Sequence, residues 1–189
     1  MSHVTEDLMK ASEFLEGDVV RILLQQHAGI RQLCATVENT SGPAKRQAFD
    51  DLRALLAVHE TAEQIVVHPV ASVHGGDALI KALDADEKEA TEMLARLEEV
   101  EVESAEFDET FPLFKIAIEQ HADEEEQVEF PLLVAALDET ARHTMGKRLA
   151  ATELVAPTHA HSGAGSAPKQ LATMPFHSIV DRVKDALRH

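Results

Sequence analysis

Two copies of one motif, His59-x-x-x-Glu63 in VHETAEQ and His121-x-x-x-Glu125 in QHADEEE, lie inside apolar stripes of helical period. A histidine and a glutamate four residues apart project from adjacent turns of one helix face and offer a nitrogen and a carboxylate to the same point. Leu52, Leu55 and Leu56 lead into the first pair, and Val66 and Val70 follow it. Phe111, Phe114, Ala117 and Ile118 lead into the second, and Val128 and Leu132 follow it. The helical period therefore assigns both pairs to the core. A carboxylate buried there without a cation is penalised by several kcal/mol or stays protonated. Two of them at matched positions ask for helices that face each other across a cation.

The rest of the chain agrees with an all-α fold. Apolar residues recur with helical period through four segments, and strand-type alternation is almost absent. Gly17-Asp18 opens the first long helix, whose stripe is Val20, Leu23, His27, Ile30, Cys34 and Val37 before ENTSGPAK breaks it. The second helix is expected over about 45–69. After the turn His74-Gly75-Gly76, with Asp77 as N-cap, the third carries Ile80, Leu83, Glu87, Ala90, Leu94 and Leu97. ESAEFDETFP separates it from the fourth, over about 108–137, with Pro112 near its first turn, where a missing N–H costs least.

Short connections make neighbours antiparallel, so the expected architecture is an up-down-up-down four-helix bundle over residues 17–140. An N-terminal extension (1–16) precedes it, and a C-terminal extension (141–189) follows. Within the latter, DETARHTMGKRLAATE reads as a short helix and LVAPTHAHSGAGSAPKQLATMP as a linker. The closing FHSIVDRVKDALRH, with Ile179, Val183, Ala186 and Leu187 at helical spacing, reads as a short terminal amphipathic helix that docks on the bundle or on another copy.

Residues equidistant from a shared turn stand side by side. Glu87 lies about ten residues beyond the second turn and the His59/Glu63 pair about ten before it, roughly 15 Å on either side. Across the next turn Glu87 and the His121/Glu125 pair match again, at roughly 21–23 Å. His27 falls in the same layer. The slab His27, His59, Glu63, Glu87, His121 and Glu125 has near two-fold symmetry and suits two metals, Glu63 and Glu125 bridging and His27 and Glu87 terminal. Nitrogen and oxygen donors without thiolate favour iron or manganese over structural zinc. The donor set leaves iron and manganese open, and zinc competes with them by affinity. Two irons with open positions can bind or reduce O2, hydrogen peroxide or nitric oxide. Tyr and Trp are absent, which removes a phenolate ligand or an aromatic radical relay.

These residues resemble the hemerythrin-like proteins with the HHE cation-binding domain. Their pattern is a histidine on the first helix, His-x-x-x-Glu on the second, a histidine on the third and His-x-x-x-Glu on the fourth, around a non-haem di-iron centre. The match lies at His27, His59, Glu63, His121 and Glu125, over residues 17–140, with HETAEQIVVHP and HADEEEQVEFPLL similar to the second and fourth helices. Helix three departs from the pattern, with Glu87 where the family has histidine and Asp84 and Thr91 as alternates one turn away. A third carboxylate stabilises the ferric state and weakens reversible O2 carriage. The resemblance implies two iron ions in an oxo- or hydroxo-bridged centre, ahead of zinc or manganese, and the departure at Glu87 turns the expected work to redox or detoxification chemistry of a catalase- or peroxidase-like kind. The alternative is an iron- or oxygen-responsive sensing module without turnover.

Acidic residues outnumber basic ones 34 to 17, and the formal charge of −17 argues against nucleic acid or an anionic membrane surface as partner. No stretch is apolar enough to span a bilayer, and a lone Cys34 on an apolar stripe fits a reducing cytoplasm and a core role. The bundle has the means to form a homodimer through its tail. His68 is expected roughly opposite His59, touching a ligand from behind or exposed, and His74 solvated. His159 and His161 in the linker are expected to be idle. In DEEEQVE, Asp123, Glu124 and Glu126 are expected to form a wet outer face around Glu125.

Overall fold

The computed structural model describes residues 3–155 together with 177, 178, 180 and 181. Among them the regular structure is helical throughout. Helix α1 (His3–Ala11) precedes α2 (Val19–Asn39). Helix α3 (Gly42–Ala62) continues through a π-turn (Glu63–Val67) into α4 (His68–Gly75), and α5 (Asp77–Glu99) returns. Helix α6 (Ala105–Glu124) continues through a second π-turn (Glu125–Glu129) into α7 (Phe130–Ala136), and α8 (Glu139–Val155) follows. The bundle is formed by α2, the α3–α4 rod, α5 and the α6–α7 rod, with α1 packed along α2 and α8 across α2 and α3. No helix among the described residues is long and apolar enough to cross a membrane.

The helix starts follow local chemistry. Asp18 caps α2 by accepting the Val20 N–H at 3.0 Å, as the Gly17-Asp18 signal implies. Helix α6 begins at Ala105, earlier than expected, because Ser104 Oγ accepts the Phe107 N–H at 3.1 Å. The second rod reaches past Pro69 to Gly75, and Gly76 at φ 87° ends it in a conformation that glycine adopts without a steric penalty. Helix α8 is longer than a short appendage. It comes so close to the Gly17 backbone that a Cβ on Gly146 would stand 2.1 Å from the Gly17 carbonyl oxygen.

Every residue of the expected α2 stripe is buried, from Val20 through His27 to Val37. The interior divides into two apolar clusters. One gathers Ile30, Cys34, Leu52, Leu55, Leu94, Leu97, Phe107, Phe111 and Phe114, and Val180 of the C-terminal extension packs against it. The other gathers Val20, Leu23, Val66, Val67, Phe130, Leu133, Met145 and Leu149. Polar residues of the slab lie between the two. Enclosed by hydrophobes above and below, His27, His59, Glu63, His121 and Glu125 are buried, and Glu87 is only partly so.

The π-turns change the register below the slab. Each starts at the glutamate of a His-x-x-x-Glu pair and ends just before a His-Pro or Phe-Pro step, with the proline six residues after the glutamate in both rods. Pro69 and Pro131 lack the N–H for an i→i−4 bond, and their rings crowd the carbonyl that bond would use. The chain widens instead: the His68 N–H bonds the Glu63 carbonyl and the Phe130 N–H bonds the Glu125 carbonyl, both five residues back. One extra residue per turn delays the buried stripe by one position. Val128, expected inside, is 47% exposed, whereas Glu129, Phe130 and Leu133 are buried. In the second rod Val67 and Ala71 are fully buried, and Val70 is only half-buried.

Candidate metal centre

Four side chains converge in the slab: His27 from α2, His59 and Glu63 from the α3–α4 rod and Glu125 from the α6–α7 rod. Each offers one donor atom, and these four atoms lie within 4.8 Å of one another. His27 Nε2 is 3.2 Å from His59 Nε2 and 3.2 Å from Glu125 Oε2. His59 Nε2 is 3.3 Å from Glu63 Oε2 and 4.0 Å from Glu125 Oε2. Two donors bound at about 2.1 Å to a common ion stand roughly 3.0–4.2 Å apart, so every one of these separations suits a shared cation. Neither oxygen of Glu63 or Glu125 is in hydrogen-bonding geometry with a partner, although both carboxylates are fully buried. A cation removes that penalty, and the donor set fits one.

A second group joins the first through Glu63. Glu60, Glu63 and His121 also bring one donor each within 4.8 Å. His121 Nε2 lies 3.0 Å from Glu125 Oε1 and 3.7 Å from Glu60 Oε2. The two groups therefore meet at Glu63, and Glu125 lies between them with Oε2 toward His27 and His59 and Oε1 toward His121. Glu87 lies outside them: it accepts from Gln64 Nε2 and shares a small cleft with Glu60, Thr91, Leu94 and Ile118. The alternate Asp84 has its side chain outside the described residues, as do His159 and His161. His74 is exposed, as expected.

The His27 and His59 imidazoles are aimed from behind. His59 Nδ1 bonds Gln26 Oε1 at 2.9 Å and His27 Nδ1 bonds Glu126 Oε1 at 3.0 Å, so each ring spends its Nδ1–H on an outer acceptor and turns Nε2 inward. Without a metal the charges divide unevenly. Burial, aided by the neighbouring His27, takes His59 down to about 3, leaving it neutral. His27 and His121 go the other way. Burial opposes protonation of both, but Glu125 and Glu126 outweigh it at His27, and Glu125 with Glu60 push His121 up to about 12. Burial, with Glu125 and Glu129 nearby, raises Glu63 well above the carboxylate range. Glu125 overcomes its burial through His121 and His27 and stays well below that range.

Several residues of this region escape the sequence reading. Glu60 follows His59 directly, one step round the helix from the stripe. His68 is buried at 5% exposure, near Glu129 Oε1 at 3.9 Å. A straight helix would place it about 180° from His59, and the π-turn's extra residue swings it back by about 100°. The prolines six residues after Glu63 and Glu125 are the signal that foretells this. Glu126 is no part of a wet face: its side chain is 4% exposed and bonds Lys10 at 2.6 Å, Arg31 at 3.0 Å and His27. Arg31, one turn after His27, also holds Asp7 of α1 and Asp123. Asp123 and Glu124 are more open.

The family described as the hemerythrin HHE cation-binding domain matches residues 18–133. An uncharacterized hemerythrin-like protein of Schizosaccharomyces pombe (strain 972) is 26% identical over 136 residues, covering 70% of this chain and 67% of the relative. No solved structure matches the chain.

Proposed function

The chain belongs to the hemerythrin family of HHE cation-binding domains, and on that premise we propose that it holds two iron ions in the buried slab and works on a small oxidant. His27 and His59 would hold one ion and His121 and Glu60 the other, with the Glu63 and Glu125 carboxylates available to both and Glu87 beside Glu60 as a further carboxylate on that side. The carrying observation is the convergence of His27, His59, Glu63 and Glu125, each 2% exposed or less. When bound, an iron pair with open positions supplies redox chemistry toward O2, hydrogen peroxide or nitric oxide.

The chain's own residues set the conditions for that chemistry. Apolar clusters on both sides keep bulk water from the carboxylates and strengthen every charge interaction among them. A cleft of about 370 Å³ lined by Phe14, Val20, Leu24, Glu126, Phe130 and Val134 reaches the back of the site, where the Phe130 ring stacks on His27 at 5.4 Å between centroids. Metal content on protein from iron-supplemented cells, with the absorption spectrum before and after peroxide, tests the reading. About two irons per chain and a ferric spectrum that responds to peroxide are expected; zinc alone, or no bound metal, refutes it.

A sensing role without turnover is the second reading. It draws on the link from Lys10 of α1 through Glu126 to His27, which ties the position of α1 to the site. Iron that orders α1 and stabilises the fold without peroxide turnover selects this reading.

A further inference from the structure

We infer that the chain has a third cation position, one helical turn below the pair, formed by His68, Glu129 and the shared Glu125. The two π-turns build it. Their widened backbone brings His68 round below Glu63 and keeps Glu129 below Glu125, so that the two rods each present a second donor toward the other. Helices α4 and α7, which follow these turns, pack against each other. The position therefore depends on a register that a regular helix lacks.

The geometry is that of a coordination site. One donor atom from each of His68, Glu125 and Glu129 lies within 4.8 Å of the other two. His68 Nε2 and Glu129 Oε1 are 3.9 Å apart, too far for a direct hydrogen bond and within the roughly 3.0–4.2 Å separating two donors on one ion. Glu129 and Glu125 are fully buried and His68 is 5% exposed, in the half of the core that also holds Val66, Val67, Phe130 and Leu133. Both Glu125 oxygens there lack a directed hydrogen bond. Apolar side chains at 68 and 129 would satisfy packing. A histidine and a glutamate meeting from distant parts of the chain beside a buried carboxylate instead make a one-nitrogen, two-oxygen donor set. That set suits a divalent first-row cation such as Fe²⁺, Mn²⁺ or Co²⁺. Because Glu125 is shared with the pair, the third ion is held by fewer exclusive donors and exchanges faster.

This position goes beyond the two-ion reading and is separable from it by counting. Full-length protein is stripped of metal and titrated with Co²⁺ at moderate salt, which suppresses loose binding to the acidic surface. Bound cobalt is counted after equilibrium dialysis. The parent is compared with His68→Phe/Glu129→Leu, whose apolar replacements suit their neighbours and preserve the fold, and with the conservative Glu129→Gln. Expected are about three equivalents in the parent, the last at least tenfold weaker, and about two in both variants with the tighter ones unchanged. Equal counts in parent and variants overturn the third position, and equal counts of two leave the pair reading standing. Variants that fall below two at once show that His68 and Glu129 serve the pair itself, which also overturns a separate third position.

Discussion

Replacing Arg31 by methionine tests how the N-terminal helix is secured to the back of the candidate metal centre. The Arg31 side chain is 4% exposed and bonds Asp7, 2% exposed, Glu126, 4% exposed, and Asp123, 44% exposed. The Asp123 contact is half in water and contributes little. Glu126 keeps Lys10 and His27 when Arg31 is gone. Asp7 is the group stranded, since burial raises its pKa even with Arg31 beside it. Breaking a buried pair by removing one partner costs about 3–5 kcal/mol. The ceiling is set by protonating Asp7 instead, about 1.4 kcal/mol per pH unit above a reference near 3.9: about 4 kcal/mol at pH 7 and about 1.5 at pH 5. An acid whose folded-state pKa is raised contributes stability that is lost as pH rises through that pKa, so the penalty grows from pH 5 to pH 7. Urea unfolding at both pH values on the parent, Arg31→Met, Asp7→Asn and the double variant measures it. Expected are a loss of about 3–4 kcal/mol at pH 7, near 1.5 at pH 5, and an Arg31–Asp7 coupling of about 2. A coupling below about 0.5 kcal/mol, or a penalty unchanged between the two pH values, refutes the reasoning.

Metal binding at neutral pH should release protons, because His121, pushed up to about 12 by Glu125 and Glu60 against its burial, must lose its proton to coordinate. Affinity then rises with pH, up to tenfold per unit for each proton, and calorimetry in buffers of different ionisation enthalpy counts them; a count of zero contradicts the charge assignment. Gly146→Ala puts a Cβ 2.1 Å from the Gly17 carbonyl oxygen, so α8 has to shift, with an expected loss of about 1–3 kcal/mol in chemical denaturation. An unchanged midpoint would mean that α8 does not pack this closely in solution. The Cys34 thiol is fully buried and pushed up to about 12, mainly by burial, so a thiol reagent at pH 8 should modify it only after unfolding.

Much of the site was legible because a helical stripe is a local property. His27 occupies an otherwise apolar face whose other members are all buried, and the duplicated His-x-x-x-Glu pairs announce carboxylates in the core. Counting residues from the turns puts the His59/Glu63 and His121/Glu125 pairs at the height of Glu87, since helical rise is constant. Glu87 shows the limit of that count: its height brings it next to Glu60 and Gln64, while its rotation about the α5 axis decides which of them it meets.

The sequence by itself determined the helical class, the stripe above the slab and the duplicated donors, because periodicity records which face of each helix avoids water. Tertiary structure decided the rest. It turned Glu60 inward beside His121, rotated His68 and Glu129 into the core through proline-induced π-turns, and docked α1 so that Asp7 and Lys10 meet Arg31 and Glu126. A buried charge is tolerated only beside its counter-charge, and when that partner comes from a helix distant in sequence, no local pattern records the pairing.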